Sequence, residues 1–154
     1  MTLIVSLDPG GTTGIAYAVG LTGEGWDYKV QQLGPEAHHL VLHRRLERLY
    51  WEFEHDDMTV VYESFEYRNK ERPGLVLDSV EYIGVTKTFS KANNVPTVKQ
   101  TASMAKGFVK DKNIKRLGLW SPGQPHAMDA LRHLLFYQTT VLKDKAVLER
   151  GWKE

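Results

Sequence analysis

The spacing of apolar residues predicts β-strands in the first third of the chain. Short runs rich in apolar and β-branched residues occupy positions 2–7, 14–19 and 26–33, and this length and composition are typical of strands. The turn-like sequence TGEG at positions 22–25 separates the second run from the third. Because short turns join strands that run in opposite directions, these segments predict an antiparallel meander.

After position 35 the apolar period lengthens and predicts helices that alternate with strands. Leu42, Leu46, Leu49, Tyr50 and Phe53 recur at i, i+4, i+7, i+8 and i+11, which is one stripe of a helix ending near position 55. The later pattern predicts a buried strand at 58–62, a helix at 75–91, a short strand at 96–98, a broken lysine-rich helical stretch at 101–117 and a long helix at 125–142. We expect no further module in the short tail after this helix.

This order of elements predicts an α/β protein. A meander of three strands is followed by helix, strand, helix, strand and helix. The order favours a five-stranded mixed sheet, with three antiparallel strands and then two parallel ones, flanked by helices. No segment has the composition of an interdomain linker, so residues 1–154 are interpreted as a single domain.

The composition excludes several classes of protein. A chain of 154 residues with 42% hydrophobic residues can bury a core of its own, and the absence of cysteine excludes disulfides and thiolate metal sites. The N-terminus has no basic lead, and no stretch approaches the roughly 20 apolar residues of a membrane span. We therefore expect no membrane partner and a cytoplasmic location in a bacterial or phage-infected cell.

The net charge of +1 conceals an uneven distribution of charge along the chain. Residues 1–67 carry four Lys or Arg against eleven Asp or Glu, whereas residues 68–118 carry eleven against four. One interpretation is that these charges only solvate the surface. The other is an acidic site beside a phosphate-binding surface, as expected of a protein that cuts nucleic acid.

Two acidic residues each stand at the end of a predicted strand. Asp8 closes the first strand, and Glu63 closes the strand after the first long helix. If these strands are parallel neighbours, their carboxyl ends lie at the same edge of the sheet and the two carboxylates lie side by side. Neighbouring carboxylates raise each other's pKa unless a cation compensates their charge. The oxygen ligands favour Mg²⁺ or Mn²⁺ as that cation.

The last predicted helix offers a third acid. His126, Asp129 and His133 are spaced i, i+3 and i+7, so they project from one face of the helix. A simpler interpretation makes Asp129 a first-turn acid that the helix dipole favours and His126 a surface or capping residue. Considered together with Asp8 and Glu63, Asp129 is predicted to join the metal site.

Three short motifs contain these acids: LDPGGTTGIA at 7–16, VYESF at 61–65 and HAMDAL at 126–131. Together they resemble the signatures of RuvC-type Holliday-junction resolvases, within the RNase H-like nuclease superfamily, and especially those of the phage relatives. The order and spacing of the motifs match over residues 1–140. The glycine turn is one residue shorter than in the bacterial resolvases and lacks their arginine, and His126 stands where a four-acid version of the family has Asp.

The resemblance implies an RNase H-like fold and metal-dependent hydrolysis of phosphodiester bonds. It assigns catalysis and metal binding to Asp8, Glu63, His126 and Asp129, with His126 as a ligand or as a partner of the attacking water. Two Mg²⁺ or Mn²⁺ ions are expected, bridged by a carboxylate such as Asp8.

The glycine turn of the first motif is a predicted substrate contact. Gly10 and Gly11 would allow close approach of a nucleic-acid backbone and unusual dihedral angles, and Thr12 and Thr13 would donate hydrogen bonds to phosphate. A plain hairpin turn would contain the same residue types.

Further substrate contacts are predicted after the second motif. Phe65 and Tyr67 would stack on unpaired bases or wedge into a junction, although a core position is equally consistent with Phe65. The candidate phosphate-binding cations are Arg68, Lys70, Arg72, Lys99 and Lys106.

Three functions remain open from the sequence. The first is a metal-dependent, structure-selective endonuclease that resolves Holliday or other branched DNA junctions. The second is an RNase H-like nuclease acting on flaps, forks or RNA-containing substrates. The third is a non-catalytic module that binds nucleic acid or nucleotide, because D-x-G-x-T-x-G also resembles the first phosphate loop of actin and the sugar kinases. Those proteins, however, need two large domains around the nucleotide.

A homodimer is expected for the first function, because a four-way junction has two equivalent strands to cut. The helix predicted at 75–91 is the candidate interface, since Tyr82 and Phe89 would add apolar area.

Overall fold

The computed structural model describes residues 1–21, 25–53, 57–66 and 77–153. The elements in these ranges are β1 (Thr2–Asp8), β2 (Thr13–Leu21), β3 (Gly25–Leu33), α1 (His39–Glu52), β4 (Met58–Glu63), α2 (Asp78–Ala92), β5 (Thr97–Gln100), α3 (Ala102–Phe108), α4 (Asp111–Arg116), α5 (Pro125–Phe136) and α6 (Lys145–Trp152). Two predicted features fall partly outside these ranges: the turn at 22–25 and the start of the helix at 75–91.

The strands form one mixed sheet in the order β3-β2-β1-β4-β5. β1 pairs antiparallel with β2, and β2 pairs antiparallel with β3. β4 runs parallel to both of its neighbours, β1 and β5. The predicted mixed sheet of five strands is therefore confirmed, and the reason lies in the connections, because a helix between two strands lets both run in the same direction.

The two faces of the sheet carry separate hydrophobic clusters. Leu3, Val5 and Leu7 of β1 pack with the buried side chains of α1 and α2, whereas Ile4 packs with those of α5. Since side chains alternate between the faces of a strand, Asp8 lies on the same face as Ile4. The acid at the end of β1 is thus directed to the side that α5 covers.

The helices largely follow the predicted periodicity. Leu42, Leu46 and Leu49 are the buried residues of α1, as the stripe requires. The lysine-rich stretch is broken into α3 and α4, as expected. None of the helices in the described ranges combines the length and the apolar content needed to cross a bilayer.

The C-terminal part differs from the prediction in two ways. The α-helical part of the long helix ends at Phe136, and residues Tyr137–Val141 continue as a π-helical turn. There the hydroxyls of Thr139 and Thr140 donate hydrogen bonds to the carbonyls of Leu135 and Phe136, which competes with regular helical pairing. The second difference is α6, an element that the sequence analysis missed.

Asp144 explains why α6 forms where it does. Its Oδ1 accepts a hydrogen bond from the Val147 backbone N–H at 3.0 Å, and its Oδ2 accepts one from Trp26 Nε1 at 2.7 Å. The first contact caps the helix and the second attaches it to β3. The signal in the sequence was an N-cap aspartate before a short amphipathic stretch.

We predict that Asp144→Ala lowers the free energy of unfolding by about 1–3 kcal/mol, because it removes a helix cap and leaves the Trp26 N–H without its acceptor. Urea denaturation followed by circular dichroism measures the loss. Glu149→Ala on the same helix is the control: its side chain is 58% exposed and pairs with Lys153 at the surface, so its effect should stay within about 0.5 kcal/mol. Equal losses for both variants would contradict the assignment.

Candidate functional site

Asp8 and Glu63 stand next to each other at one edge of the sheet. Leu7 pairs with Tyr62 in the parallel register of β1 and β4, so the next residue on each strand is the acid. Adjacent strands lie about 5 Å apart, and both acids fall on the face that α5 covers. The condition on which the sequence analysis placed the two acids side by side, that their strands are parallel neighbours, is therefore met.

Helix α5 brings a histidine onto Asp8. His126 Nδ1 lies 3.0 Å from Asp8 Oδ2, with the His126 side chain 46% exposed and the Asp8 side chain 12% exposed. Among the described residues, His126 Nε2 has no hydrogen-bond partner. His126 therefore contacts the buried acid on one side and faces solvent on the other.

Asp129, one turn further along α5, is held by two cations. Lys106 Nζ from α3 lies 2.8 Å from its Oδ2, and Arg132 Nη1 lies 2.6 Å from its Oδ1. Arg132 also pairs through Nη2 with Asp111 at the start of α4. Of the predicted phosphate-binding cations, Lys106 is the one that the described structure brings to the acids.

His133 contacts Glu63, a role that the sequence analysis did not assign to it. Its Nε2 lies 2.8 Å from Glu63 Oε2, and its Nδ1 lies 2.8 Å from Gln100 Oε1. The His133 side chain is completely buried. The i+7 spacing from His126 placed His133 on the correct helix face, but only the tertiary structure shows which acid it reaches.

The pKa of Asp8 reflects both its burial and the charges of the neighbouring acids. Burial, followed by the negative charge of Glu63, raises the pKa of Asp8 from 3.8 to about 6, and the charge of Asp129 adds to this rise. The hydrogen bond from His126 opposes it. For Lys106, burial alone would lower the pKa, but the hydrogen bond to Asp129 and the charges of the three acids raise it.

The donor set fits a hard divalent cation in its chemistry. Three carboxylates and one imidazole are ligands that Mg²⁺ and Mn²⁺ accept. The pKa of Asp8 is raised first by burial and then by the charge of Glu63, and a bound cation would oppose both effects. In the described part of the chain, however, no three His, Asp or Glu side chains surround one point that could hold an ion. Each acid instead contacts a basic side chain of its own, so the metal-binding roles of Asp8, Glu63, His126 and Asp129 remain predictions.

The position of α5 depends on Gly14 and Gln32. A Cβ atom on Gly14 would lie 1.8 Å from the carbonyl oxygen of His126, so β2 and α5 can approach this closely only with glycine there. Gln32 Oε1 on β3 accepts hydrogen bonds from the backbone N–H groups of His126 at 2.8 Å and Ala127 at 3.2 Å. It thereby caps a helix whose own N-cap residue, Gln124, makes no side-chain cap bond.

The glycine turn of the first motif differs from its predicted role. Gly10 and Gly11 are not among the residues with positive φ, so unusual dihedral angles do not explain them. Thr13 is buried, and its hydroxyl donates to the Gly10 carbonyl at 3.0 Å. The prediction that Thr13 binds phosphate is therefore wrong, because its hydroxyl closes the turn. Thr12 is half-buried, and its contact with substrate stays a prediction.

The remaining substrate candidates have different locations. Phe65 is half-buried, packs against the core and lines a cleft of about 150 Å³ beside Glu63. Lys99 is exposed on β5 and, by strand alternation, lies on the opposite face from Gln100. The structure therefore does not bring Lys99 to the acids. The predicted contacts Tyr67, Arg68, Lys70 and Arg72 lie outside the described residues.

A basic cleft opens beside Asp129. Its volume is about 570 Å³, and its walls include Lys106, Lys110, Lys112 and Arg132. Asp129 lines this cleft, and Glu63 lines the Phe65 cleft. Each cleft therefore adjoins one of the acids, and the two could hold phosphate and base respectively.

The apolar residues chosen for a dimer interface on α2 are not accessible. Tyr82 is 6% exposed and Phe89 is completely buried, and both belong to the core beneath α1 and α2. Their selection as interface residues was wrong, because the helix directs that face toward the sheet. In the described part of this helix region, from residue 77 onward, the exposed large apolar residues are Leu77 and Val80.

Comparison with solved structures identifies the fold. The chain is similar to Thermus thermophilus RuvC in complex with Holliday junction substrate, with a TM-score of 0.65, 19% identity, and coverage of 93% of this chain and 96% of that chain. It is likewise similar to a second T. thermophilus RuvC structure, with a TM-score of 0.64, 18% identity, and coverage of 92% and 96%. The chain therefore has the RNase H-like fold seen in RuvC, as the motifs implied. No protein-family model and no curated protein matches it.

The raised pKa of Asp8 predicts a pH-dependent stability. The folded protein retains the proton of Asp8 up to about pH 6, whereas an unfolded chain loses it near 3.8, so the free energy of unfolding falls as the pH rises between these values. The full cost above pH 6 is about 3 kcal/mol. Asp8→Asn removes it, and we expect this variant to be more stable than the wild type at pH 7.5 without divalent cations.

Urea titrations at pH 4 and pH 7.5 measure this difference. At pH 4 the two proteins should differ little, because Asp8 is then protonated in the folded state. Parallel pH profiles for the wild type and Asp8→Asn would rule out a buried, destabilising charge at this position.

We predict that Gln32→Met lowers the free energy of unfolding by about 1 kcal/mol, because two N–H groups at the start of α5 lose their acceptor. The adjacent Gln31→Met is the matched control. Gln31 Nε2 is buried without a hydrogen-bond partner among the described residues, so its loss should be neutral or stabilising. Thermal unfolding of both variants measures the difference, and a Gln31 variant that is the less stable of the two would refute the capping role.

Proposed function

We propose that this protein is a metal-dependent, structure-selective DNA endonuclease that resolves Holliday or other branched junctions. The observation that carries the proposal is the convergence of three acids from distant motifs at one edge of a RuvC-like sheet, where Glu63 and Asp129 both act on the charge of Asp8. The similar RuvC structure in complex with a Holliday junction supports the choice of substrate.

The residues that would hold two Mg²⁺ or Mn²⁺ ions are Asp8, Glu63 and Asp129, and His126 would be either a further ligand or the partner of the attacking water. Divalent cations at this edge would stabilise the charge on the attacking and leaving oxygens of the displacement. In that reaction the oxygen of a water molecule bonds to phosphorus while the P–O3′ bond breaks, which yields a 5′-phosphate and a 3′-hydroxyl.

In the second of these roles, His126 would accept the proton of the attacking water through Nε2, and Asp8 would orient the ring. When His126 Nδ1–H donates to Asp8 Oδ2, the ring is held in the tautomer whose Nε2 is a proton acceptor. This nitrogen belongs to a half-exposed side chain beside the acids. The same hydrogen bond prevents the ring from rotating away from the site.

Lys106 would bind the phosphate to be cleaved. Its side chain is 46% exposed, its Nζ contacts Asp129, and it lines the basic cleft together with that acid. Lys110, Lys112 and Arg132 line that cleft and would bind the neighbouring phosphates of the strand. Each phosphate neutralised should steepen the dependence of log K on log salt by roughly 0.9.

The Phe65 cleft would receive bases at the branch point. Phe65 presents a half-buried ring there, next to Glu63, and stacking of an unpaired base on an aromatic ring contributes about 1–3 kcal/mol. The proposal includes a homodimer, because symmetric resolution requires two sites related by a twofold axis. It also includes a cytoplasmic location, where bacterial or phage DNA junctions arise.

A substrate panel tests the specificity. We expect Mg²⁺-dependent cleavage of a four-way junction and weaker cleavage of a flap, a fork, duplex DNA and an RNA–DNA hybrid. A preference for the hybrid or the flap would favour a different nuclease with the same fold. Tight binding of ATP with Mg²⁺ and no cleavage of any of these substrates would favour the nucleotide-binding alternative.

We predict that Glu63→Gln reduces junction cleavage by about 10³-fold or more while junction binding persists, because it removes a carboxylate of the site and leaves its shape. Glu149→Gln is the control, since Glu149 is an acid on α6 whose side chain is 58% exposed and pairs with Lys153 at the surface, and it should retain activity within about threefold. Single-turnover cleavage and gel-shift binding measure both quantities. Cleavage by Glu63→Gln at the wild-type rate would contradict the proposed catalytic role of this carboxylate.

A further inference from the structure

We propose that His133 is a positioning residue that fixes Glu63 for metal binding, with Gln100 fixing His133 in turn. This inference rests on the proposed function, because it concerns how one of its acids is held. The three side chains come from separate elements: Glu63 ends β4, Gln100 ends β5, and His133 lies on α5.

Both ring nitrogens of His133 have a hydrogen-bond partner. Nε2 faces Glu63 Oε2 and Nδ1 faces Gln100 Oε1, each at 2.8 Å, and the His133 side chain has no exposed surface. The backbone reinforces the arrangement, since Glu63 pairs with Gln100 in the sheet and the Ser64 N–H donates to the Gln100 carbonyl at 2.7 Å. The ring therefore lies over the place where both strands end.

Gln100 determines which nitrogen carries the proton. A neutral imidazole has one N–H, so it can serve both contacts only if the Gln100 amide is flipped relative to the placement above, with its N–H rather than Oε1 facing Nδ1. That orientation would also provide a partner for Gln100 Nε2, which is buried without one among the described residues. Nε2–H of His133 then donates to Glu63 Oε2.

The consequence for Glu63 is that its two oxygens have different tasks. Oε2 is bound to His133, whereas Oε1 has no hydrogen-bond partner in the described ranges. The glutamate is 20% exposed, so Oε1 is the oxygen that can reach a ligand from solvent. A fixed donor on one oxygen orients the other and limits the rotamers that Glu63 adopts.

The two histidines of α5 thus contact two different acids. His126 contacts Asp8 from the first turn, and His133 contacts Glu63 two turns later, with Asp129 between them. His126 is half-exposed and could reach substrate, but His133 is fully enclosed and acts only through Glu63. Its expected effect is therefore on metal affinity rather than on DNA binding.

Two near-isosteric variants separate this role from a general packing role. In His133→Gln the amide nitrogen reaches the former position of Nε2 and keeps the contact with Glu63. In His133→Asn the shorter amide reaches Gln100 but not Glu63. Both remain polar and hydrogen-bonding, so they differ mainly in the one contact that the proposal requires.

The measurement is Mn²⁺ binding to the full chain by electron paramagnetic resonance, with thermal unfolding of the metal-free proteins alongside. We expect His133→Asn to weaken Mn²⁺ binding by about 10- to 100-fold and His133→Gln to stay within about threefold of the wild type. Leu134→Ala, a fully buried neighbour on the same helix, is the control for lost packing and should lower the melting temperature without changing the Mn²⁺ affinity.

The outcomes are distinguishable. Wild-type Mn²⁺ affinity in His133→Asn, or equal losses in the Asn and Gln variants, would overturn the positioning role while the proposed function stands. If His133→Asn does not fold, His133→Gln decides alone, and a tenfold loss in that variant would overturn the proposal. A wild-type protein that neither binds Mn²⁺ nor cleaves a junction would refute the proposed function itself.

Discussion

The close approach of α5 to the sheet is the contact on which the candidate site depends. Gly14 permits it, since any Cβ there would collide with the His126 carbonyl, and the apolar side of the helix is buried against the α5 face of the sheet. Once the helix is in this position, its polar residues meet the acids at the ends of β1 and β4. The helical spacing along α5 then determines where His126, Asp129 and His133 lie relative to the strand ends.

Bringing the three acids together costs the folded protein electrostatic free energy. Asp8 is buried next to two further acids, and the rise of its pKa to about 6 measures how unfavourable its charge is in the folded state. Basic side chains reduce the cost at each acid: His126 at Asp8, His133 at Glu63, and Lys106 at Asp129. Such a cluster destabilises the protein unless cations or phosphates use it, which is typical of functional sites.

Sequence reasoning predicted the site to different degrees for different residues. Asp8 and Glu63 were identifiable because each closes an apolar strand within a short motif, whereas the parallel pairing of β1 with β4 was only a condition until the structure showed it. Thr13 was assigned wrongly, since a hydroxyl in a tight turn can bond its own backbone as readily as a ligand. The interface residues Tyr82 and Phe89 were assigned wrongly because a periodic pattern does not show which apolar face a helix buries.

The sequence alone determined the class of fold, the antiparallel meander and the acids that close two strands, because these depend on local periodicity and chain connectivity. The place of β4 beside β1 came from the structure. The tertiary structure alone decided which base meets which acid. His133 lies 70 positions from Glu63 in sequence, and their contact at 2.8 Å exists only because α5 packs across the ends of β4 and β5. Such pairings depend on how α5 is rotated about its own axis and how closely it packs on the sheet. No local pattern in a single sequence specifies either.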